Sequence, residues 1–490
     1  MRLAPVWFSR SMVLLGLVCL TLAAALLGWA SPAAATPMYS VSSAHACNTC
    51  HVEPTGWLNP DKADRRCTLD CQGCHVNPSG GGLRTPLGEF YGQEVLPALG
   101  PRPGDRANPA RFLREGEPSK GEFDMFGAWN GGWWPGEVQH REIPDRYGGI
   151  NPAPRYQLGT DIRIMNVTTQ ETKASGEERG TPAASATFPM EFEVYGALHP
   201  ASNVTAYLDL GVQGQQLLPD GQTYASAAKK RAWVRETFVM LHDLPGSQYV
   251  RAGRFFQPYG WRISDHTSFT RRDTGFDQNR QALGVEWGHA YYESWSNVML
   301  WHEGVESWPG ELRTNFAANG MTAQGGWRGM NFTAGGTMHY GKRTADDSTE
   351  FAAGPMWAYS LFPLIYMGEL DYSSDTGSVS DAGGAKKQLA AFHELQWHGL
   401  RGISPKVRYE WEDPDLALTE NAKSRVMGGF EFNPIAGVQF DLVYRYEMSE
   451  NPKVSDKGQW LSQVHLFFSD QVRAARPPRS SGGAGPSATP

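Results

Sequence analysis

The fold class that the 490-residue sequence predicts is mainly β: a transmembrane antiparallel barrel of about sixteen strands over residues 155–470, behind a small irregular N-terminal segment. Three observations predict it. The chain opens with an export-type leader. After Arg155, apolar and polar side chains alternate in short bursts. The connections between those bursts switch between long and short.

The leader comes first. Residues 1–35 carry Arg2 and Arg10, run uncharged from Met12 to Trp29 and end in Ala33-Ala34-Ala35, the pattern of a cleaved signal peptide. The mature chain is expected to start near Thr36, and Cys19 leaves with the leader. Without Arg2 and Arg10 the 44 basic residues become 42 against 51 acidic ones, a net charge of −9 that argues against nucleic acid as a partner.

Next come two pentapeptides, Cys47-Asn48-Thr49-Cys50-His51 and Cys71-Gln72-Gly73-Cys74-His75. Two thiols three residues apart can form thioethers to a porphyrin, and the adjacent imidazole then meets the iron. With 13 His in 490 residues, chance puts His behind a given Cys-x-x-Cys roughly one time in forty, so two accidents are improbable. A zinc site of four thiolates is the bland alternative, and it explains neither His. Residues 36–100 therefore read as a dihaem c-type cytochrome segment, exported because thioethers are made outside the cytoplasm. Cys47, Cys50, Cys71 and Cys74 would hold two covalently bound c-type haems, with His51 and His75 as proximal ligands. Before residue 140 the only other His is His45, which is either a distal ligand completing a bis-His site or an exposed neighbour of the motif. Met38 and Met125 are candidates for the other distal position, with ordinary packing as their alternative, and an open sixth position would admit a small ligand or peroxide. Cys67 has no disulfide partner left; the options are a buried thiol, a redox-active or intermolecular thiol, or an iron ligand.

Residues 76–120 contain Gly80-Gly81-Gly82 and several Pro, the composition of a haem-packing loop running into a linker. Within residues 101–154, a linker or lumen plug, Phe123 to Trp134 is rich in aromatic residues and Gly; it reads as an extra strand or as a plug.

The barrel region follows. Val438 to Glu447 sets Val438, Phe440, Leu442, Tyr444 and Tyr446 on one side and Gln439, Asp441, Arg445 and Glu447 on the other; Val407–Glu412 and Val204–Val212 repeat the split. A soluble sandwich would alternate too, so the connections decide. Thr169–Ser185, Gln213–Lys230, Gly260–Gln281, Ser373–Lys386 and Glu412–Ala422 read as long polar loops. His199–Asn203, Asp243–Gln248, Glu293–Asn297 and Asn433–Gly437 read as short turns. That rhythm suits an up-and-down barrel with long outer loops, short periplasmic turns and both ends in the periplasm. Trp287, Tyr291, Tyr292, Trp397 and Trp411 fall near strand ends, where an interfacial girdle in contact with outer-membrane lipid would want them. Phe351–Gly368 is uncharged over 18 residues, but Pro355 and Pro363 favour two strands joined at Phe362-Pro363-Leu364 over a helix. Residues 471–490, mostly Pro, Gly, Ser, Ala and Arg, read as a disordered tail.

This order of parts resembles the fused outer-membrane cytochrome–porins of iron-oxidising bacteria, and the run Cys74-His75-Val76-Asn77-Pro78-Ser79-Gly80-Gly81-Gly82 is similar to haem motifs in porin-linked cytochromes of metal-respiring bacteria. Around Tyr249-Val250-Arg251-Ala252-Gly253-Arg254-Phe255-Phe256-Gln257-Pro258-Tyr259-Gly260 the barrel resembles the phosphate-selective porin O and P family. The likeness implies an outer-membrane electron conduit, with periplasmic electron-carrier cytochromes on one side and an extracellular metal or other redox partner on the other. The iron-oxidiser fusions carry one haem where this chain has two motifs, so the likeness implies no direction of electron flow. The last strand, Trp460–Phe468, ends in Phe467-Phe468 like a barrel assembly signal, yet a tail follows it.

Three functions stand against one another. The first is electron transfer through haems docked in or at the barrel. The second is an anion-selective porin with a haem-bearing, redox-responsive plug, in which Lys229, Lys230, Arg231, Arg235, Arg251, Arg254, Arg262, Arg271, Arg272 and Arg280 line the pore. In the first reading some of these neutralise haem propionates; in the bland one they are solvated charge. The third is an enzyme such as a dihaem peroxidase, which would need a larger haem domain than the segment offers.

Overall fold

A computed structural model of the chain describes residues 75–84, 96–99 and 156–471, apart from 172–183, 202, 214–231, 246–247, 264, 266, 277–279, 291–293, 304–317, 329–331, 345, 362–363, 399, 401 and 452–453. The leader, Cys47, Cys50, His51, Cys71, Cys74, His45, Met38, Met125, Cys67, residues 101–154 and the tail from residue 472 lie outside the described residues.

Sixteen strands follow one another: β1 (Tyr156–Glu171), β2 (Ala184–Ala201), β3 (Val204–Gln213), β4 (Ala232–Leu244), β5 (Gln248–Phe256), β6 (Gln281–Ala290), β7 (Ser294–Glu303), β8 (Ala318–Arg328), β9 (Phe332–Arg343), β10 (Thr349–Leu361), β11 (Leu364–Val379), β12 (Ala385–Trp397), β13 (Ile403–Asp413), β14 (Lys423–Phe432), β15 (Val438–Ser449) and β16 (Lys457–Gln471). One helical turn, α1 (Phe269–Arg272), lies between β5 and β6. Every strand pairs antiparallel with its chain neighbours, and β1 pairs with β16 from Gln157↔Gln471 to Glu171↔Lys457, so the sheet closes on itself.

Closure alone does not put a barrel in lipid; the direction of its side chains does. On β3, Leu208, Leu210 and Val212 are 43%, 44% and 41% exposed while Tyr207 and Asp209 on the opposite face are 3% and 4% exposed. Val239, Leu283, Val285, Leu300 and Val407 repeat the exposed apolar face on other strands. Apolar outside and polar inside is the inverse of a soluble core, and it is stable only where hydrocarbon wets the outer face and no backbone edge is left unpaired. The chain is an outer-membrane β-barrel. Among the described residues no helix is long and apolar enough to cross a membrane, and Phe351–Gly368 divides between β10 and β11 as the prolines suggest.

Connections fall into two sets, one at each end of the barrel. Short turns join β2–β3, β4–β5, β6–β7, β8–β9, β10–β11, β12–β13 and β14–β15, at the end where β1 begins and β16 finishes. Two expectations need correcting. Ser373–Lys386 is not a long loop: β11 runs on to Val379 and a tight turn at 380–384 returns into β12, because Ser374 and Asp375 keep their ladder partners Lys387 and Lys386 despite their polarity. Glu293–Asn297 is not a turn either, since β7 already begins at Ser294 and Asn297 pairs with Gly288 in the ladder with β6. The rhythm also breaks between β9 and β10, where only residues 344–348 intervene at the opposite end. There Arg343 donates to Ser348 Oγ at 3.0 Å and to Asp375 Oδ1 at 2.7 Å, and Asp346 accepts from the Ser348 amide at 3.0 Å.

Candidate functional site in the barrel lumen

The segment His75–Arg84 lies inside the barrel against the inner wall. Leu83 is 0% exposed in a cluster with the inward Tyr195, Tyr207, Phe238, Phe255, Met299 and Trp301, and Val76 rests against it. Tyr207 and Phe238 stack at 5.0 Å, and Phe238 meets Phe255 edge-on at 6.0 Å. Burying Leu83 and these rings is the apolar part of the docking; at about 25 cal/mol per Å² a fully buried Leu contributes roughly 2 kcal/mol.

Polar contacts fix the register. Asn77, also 0% exposed, donates to Glu236 and accepts from Arg251 at 3.0 Å; Arg251 further donates to Ser79 Oγ at 2.8 Å and to Glu286 at 2.8 Å. The Gln157 side chain donates to the Arg84 carbonyl at 3.3 Å, and the Arg84 guanidinium lies 4.3 Å over the Phe467 ring. Further along, Ala98 N and Leu99 N donate to the carbonyls of Asn433 and Pro434, both at 2.8 Å, in the turn between β14 and β15.

The connection from β5 to β6 crosses the lumen from the other direction. Tyr259 donates to Asp371 at 3.0 Å, Trp261 N to Glu369 at 2.9 Å, and Arg271 to Glu369. Beyond them Arg408 reaches Asp265 at 2.8 Å, Arg425 the Thr267 carbonyl at 3.0 Å and Arg445 the Thr267 hydroxyl at 2.7 Å. Phe269 of α1 is fully buried, with the Arg425 guanidinium 4.1 Å over its ring. Burial works to raise the Asp265 carboxyl; Arg408 and Arg445, with hydrogen bonds from Thr267, override it and hold it well below the usual carboxylate range. Between segment and loop remains a cavity of about 90 Å³, lined by Ser79, Tyr259, Arg262, Trp295 and Met356 among others.

Most of the inward cations named by the sequence face carboxylates. Arg235 pairs with Glu191 and Glu193, Arg251 with Glu286, Arg271 with Glu369, and Arg280 with Glu350. Glu286, Asp371, Glu410 and Glu412 are 0% exposed. Groups lining a wide aqueous pore would be wet; these are covered by the segment, the loop and one another. Of the others, Arg254 is on the outward face of β5, paired with Thr237 and Leu283 in the ladder.

Of the expected haem residues, His75 is the described one. Its Nδ1 lies 3.0 Å from the Gly81 carbonyl, which can only accept, so Nδ1 carries the proton and the lone pair is on Nε2. Burial first, then the charge of Arg84, push its pKa down to about 3, so the ring is neutral. A neutral imidazole with Nδ1–H bonded to a backbone carbonyl is the arrangement of a histidine that ligates metal through Nε2. His75, the one described residue of the motif, thus has the ring state that a proximal ligand of a c-type haem needs. Sequence reasoning took residues 76–120 for a haem-packing loop running into a linker and expected the haem segment in or at the barrel; it missed the partnership of Asn77 with Arg251. Arg251 stood in the basic run and Asn77 beside the glycines, but a side-chain contact across 174 positions leaves no local signal.

No protein-family model matches the chain, and no curated protein matches it. Solved structures do. An anion-selective porin from Comamonas acidovorans is 11% identical, covering 64% of this chain and 100% of its own, with a TM-score of 0.46. A loop-deletion form of the Vibrio cholerae outer-membrane protein OmpT is 9% identical over 64% and 100%, also at 0.46. The outer-membrane channel DcaP of Acinetobacter baumannii is 10% identical over 64% and 97%, at 0.44. The likeness is one of fold.

Proposed function

We propose that this outer-membrane barrel transfers electrons across the membrane, linking periplasmic electron-carrier cytochromes to an extracellular donor or acceptor such as iron. The observation that carries the reading is the seat of His75 within the barrel, neutral and with its Nδ1–H engaged. Cys71, Cys74 and His75 would hold one c-type haem, and Cys47, Cys50 and His51 the other. A haem so held supplies a one-electron carrier inside an insulating layer. The chain's own contribution is twofold. Asn77, Ser79 and Leu83 tether the motif to β3–β6, and the paired lumen charges keep solute out of the space beside it.

A second reading, an anion-selective porin with a haem-bearing redox-responsive plug, is favoured by the sixteen-strand barrel with its inward-folded loop. Sealed proteoliposomes separate the two. With a reduced dye outside and a ferric acceptor inside, the first reading expects electron exchange with little anion leak. Free anion leak without electron exchange would hand the assignment to the second.

A further inference from the structure

We propose that Arg251 is a positioning residue for the second haem motif: it clamps the Asn77–Gly82 turn so that the Gly81 carbonyl receives the His75 Nδ1–H. Through that bond it sets how strongly His75 donates to iron. The inference rests on the haem-bearing reading above.

The turn is soft by composition. Gly80, Gly81 and Gly82 have φ of 83°, 77° and 57°, values that side chains rarely adopt, and three glycines in a row leave the carbonyl direction undetermined by the backbone alone. What determines it is a chain of contacts beginning in the wall. Asn297 donates to the Tyr249 hydroxyl at 2.7 Å, Tyr249 donates to Glu286, and Glu286 accepts from Arg251 at 2.8 Å. The Arg251 guanidinium lies 3.8 Å over the Phe255 ring, which leaves its plane little freedom. Its two terminal nitrogens then reach Asn77 Oδ1 and Ser79 Oγ.

Within the turn the same Asn77 oxygen accepts from Ser79 N at 3.0 Å, and the Asn77 carbonyl accepts from Gly80 N at 2.9 Å. On the far side Tyr207 closes the space, since a Cβ on Gly82 would lie 2.1 Å from its hydroxyl oxygen. Val76 N donates to the Leu83 carbonyl at 2.9 Å and His75 bridges Arg84, so the two ends of the turn are held together. Among the described residues the handles on the glycines lead to Arg251, to Glu236 through the Asn77 amide, to Tyr207 or to the bridge, and the carbonyl they aim is the one His75 uses. A hydrogen bond to the second nitrogen of a ligating histidine fixes the ring and raises its basicity, which favours the ferric state.

Three full-length variants test this: Arg251→Met, Arg251→Lys, and Gly82→Ala, which leaves the cation in place and drives a methyl against Tyr207. Covalent haem per chain, heat-modifiable gel migration as the mark of a closed barrel, the potentials of both haems and their low-spin g-values are read for each. In Arg251→Met and Gly82→Ala one haem should become easier to reduce, by up to about tenfold in its ferric-to-ferrous ratio at fixed poise, or about 59 mV for one electron. Its g-values should shift too, with partial recovery in Arg251→Lys and the other haem unmoved. Should Arg251→Met fail to close, Arg251→Lys and Gly82→Ala decide. Unchanged potentials and g-values with both haems present would overturn the inference. A parent protein without covalent haem would instead defeat the haem reading before the inference was reached.

Discussion

Truncating Leu83 to Ala separates the docking of the luminal segment from the integrity of the barrel around it. The side chain is 0% exposed and enclosed by Tyr207, Phe238, Phe255 and their neighbours, so the loss is a transfer term plus a cavity, about 2–5 kcal/mol. At 1.4 kcal/mol per tenfold, even the low end raises the undocked population of the segment roughly 30-fold. The strand ladder uses none of these atoms, and the Arg251 contacts to Asn77 and Ser79 remain. The expected phenotype is a closed barrel that opens intermittently. Planar-bilayer recording measures it: brief conductance events should become at least about 30-fold more frequent, while Leu83→Met, which conserves volume and costs below about 1.5 kcal/mol, should raise them by about tenfold at most. An unchanged event rate in a folded Leu83→Ala barrel would refute the idea that this segment obstructs the lumen.

Other expectations follow from the same geometry. Val239→Arg places a cation on the outward face of β4, where Val239 is 56% exposed; urea titration of refolding into vesicles should record a loss of about 2–4 kcal/mol, and a negligible one would mean that this face does not meet hydrocarbon. The Asp265 carboxyl is depressed in the folded state. Its contribution to loop anchoring is therefore complete above the ordinary Asp value of about 3.9 and fades as pH falls from there towards the folded value. Conductance should then be flat from neutral pH down to about 4, whereas Asp265→Asn should raise it at every pH; a rise already at pH 6 in the parent would contradict the assignment. Changing both Cys71 and Cys74 to Ser should halve the covalent haem measured after denaturation, and an unaltered content would show that the second motif is not an attachment site.

The barrel was legible because its constraint is local and repeated. Alternation such as Val438 to Glu447 needs only a period of two, and the Asn433–Gly437 turn declares itself by Asn, Pro and Gly. Polar strand ends were not legible: Ser373–Val379 looks like loop composition, and only the pairing with Lys386 and Lys387 across the hairpin makes it strand. The same limit governed the site. His75 was singled out by its motif, but the residues that hold its segment, Glu236, Arg251 and Glu286, lie on three different strands, and nothing in the spacing between Asn77 and Arg251 says that they meet. The basic run was visible as charge; that its members would be matched by Glu191, Glu286, Glu350 and Glu369 depends on which strands become neighbours or face the inward loop.

The five-residue return between β9 and β10, cinched by Arg343, gives the barrel rim at that end an uneven height. Half of five extended residues is about 9 Å, the most that such a hairpin can climb above its strands, whereas the eighteen residues between β3 and β4 have contour for about 30 Å. The wall there is therefore lower than at the neighbouring hairpin of β11 and β12, where β11 runs on to Val379 before it turns back.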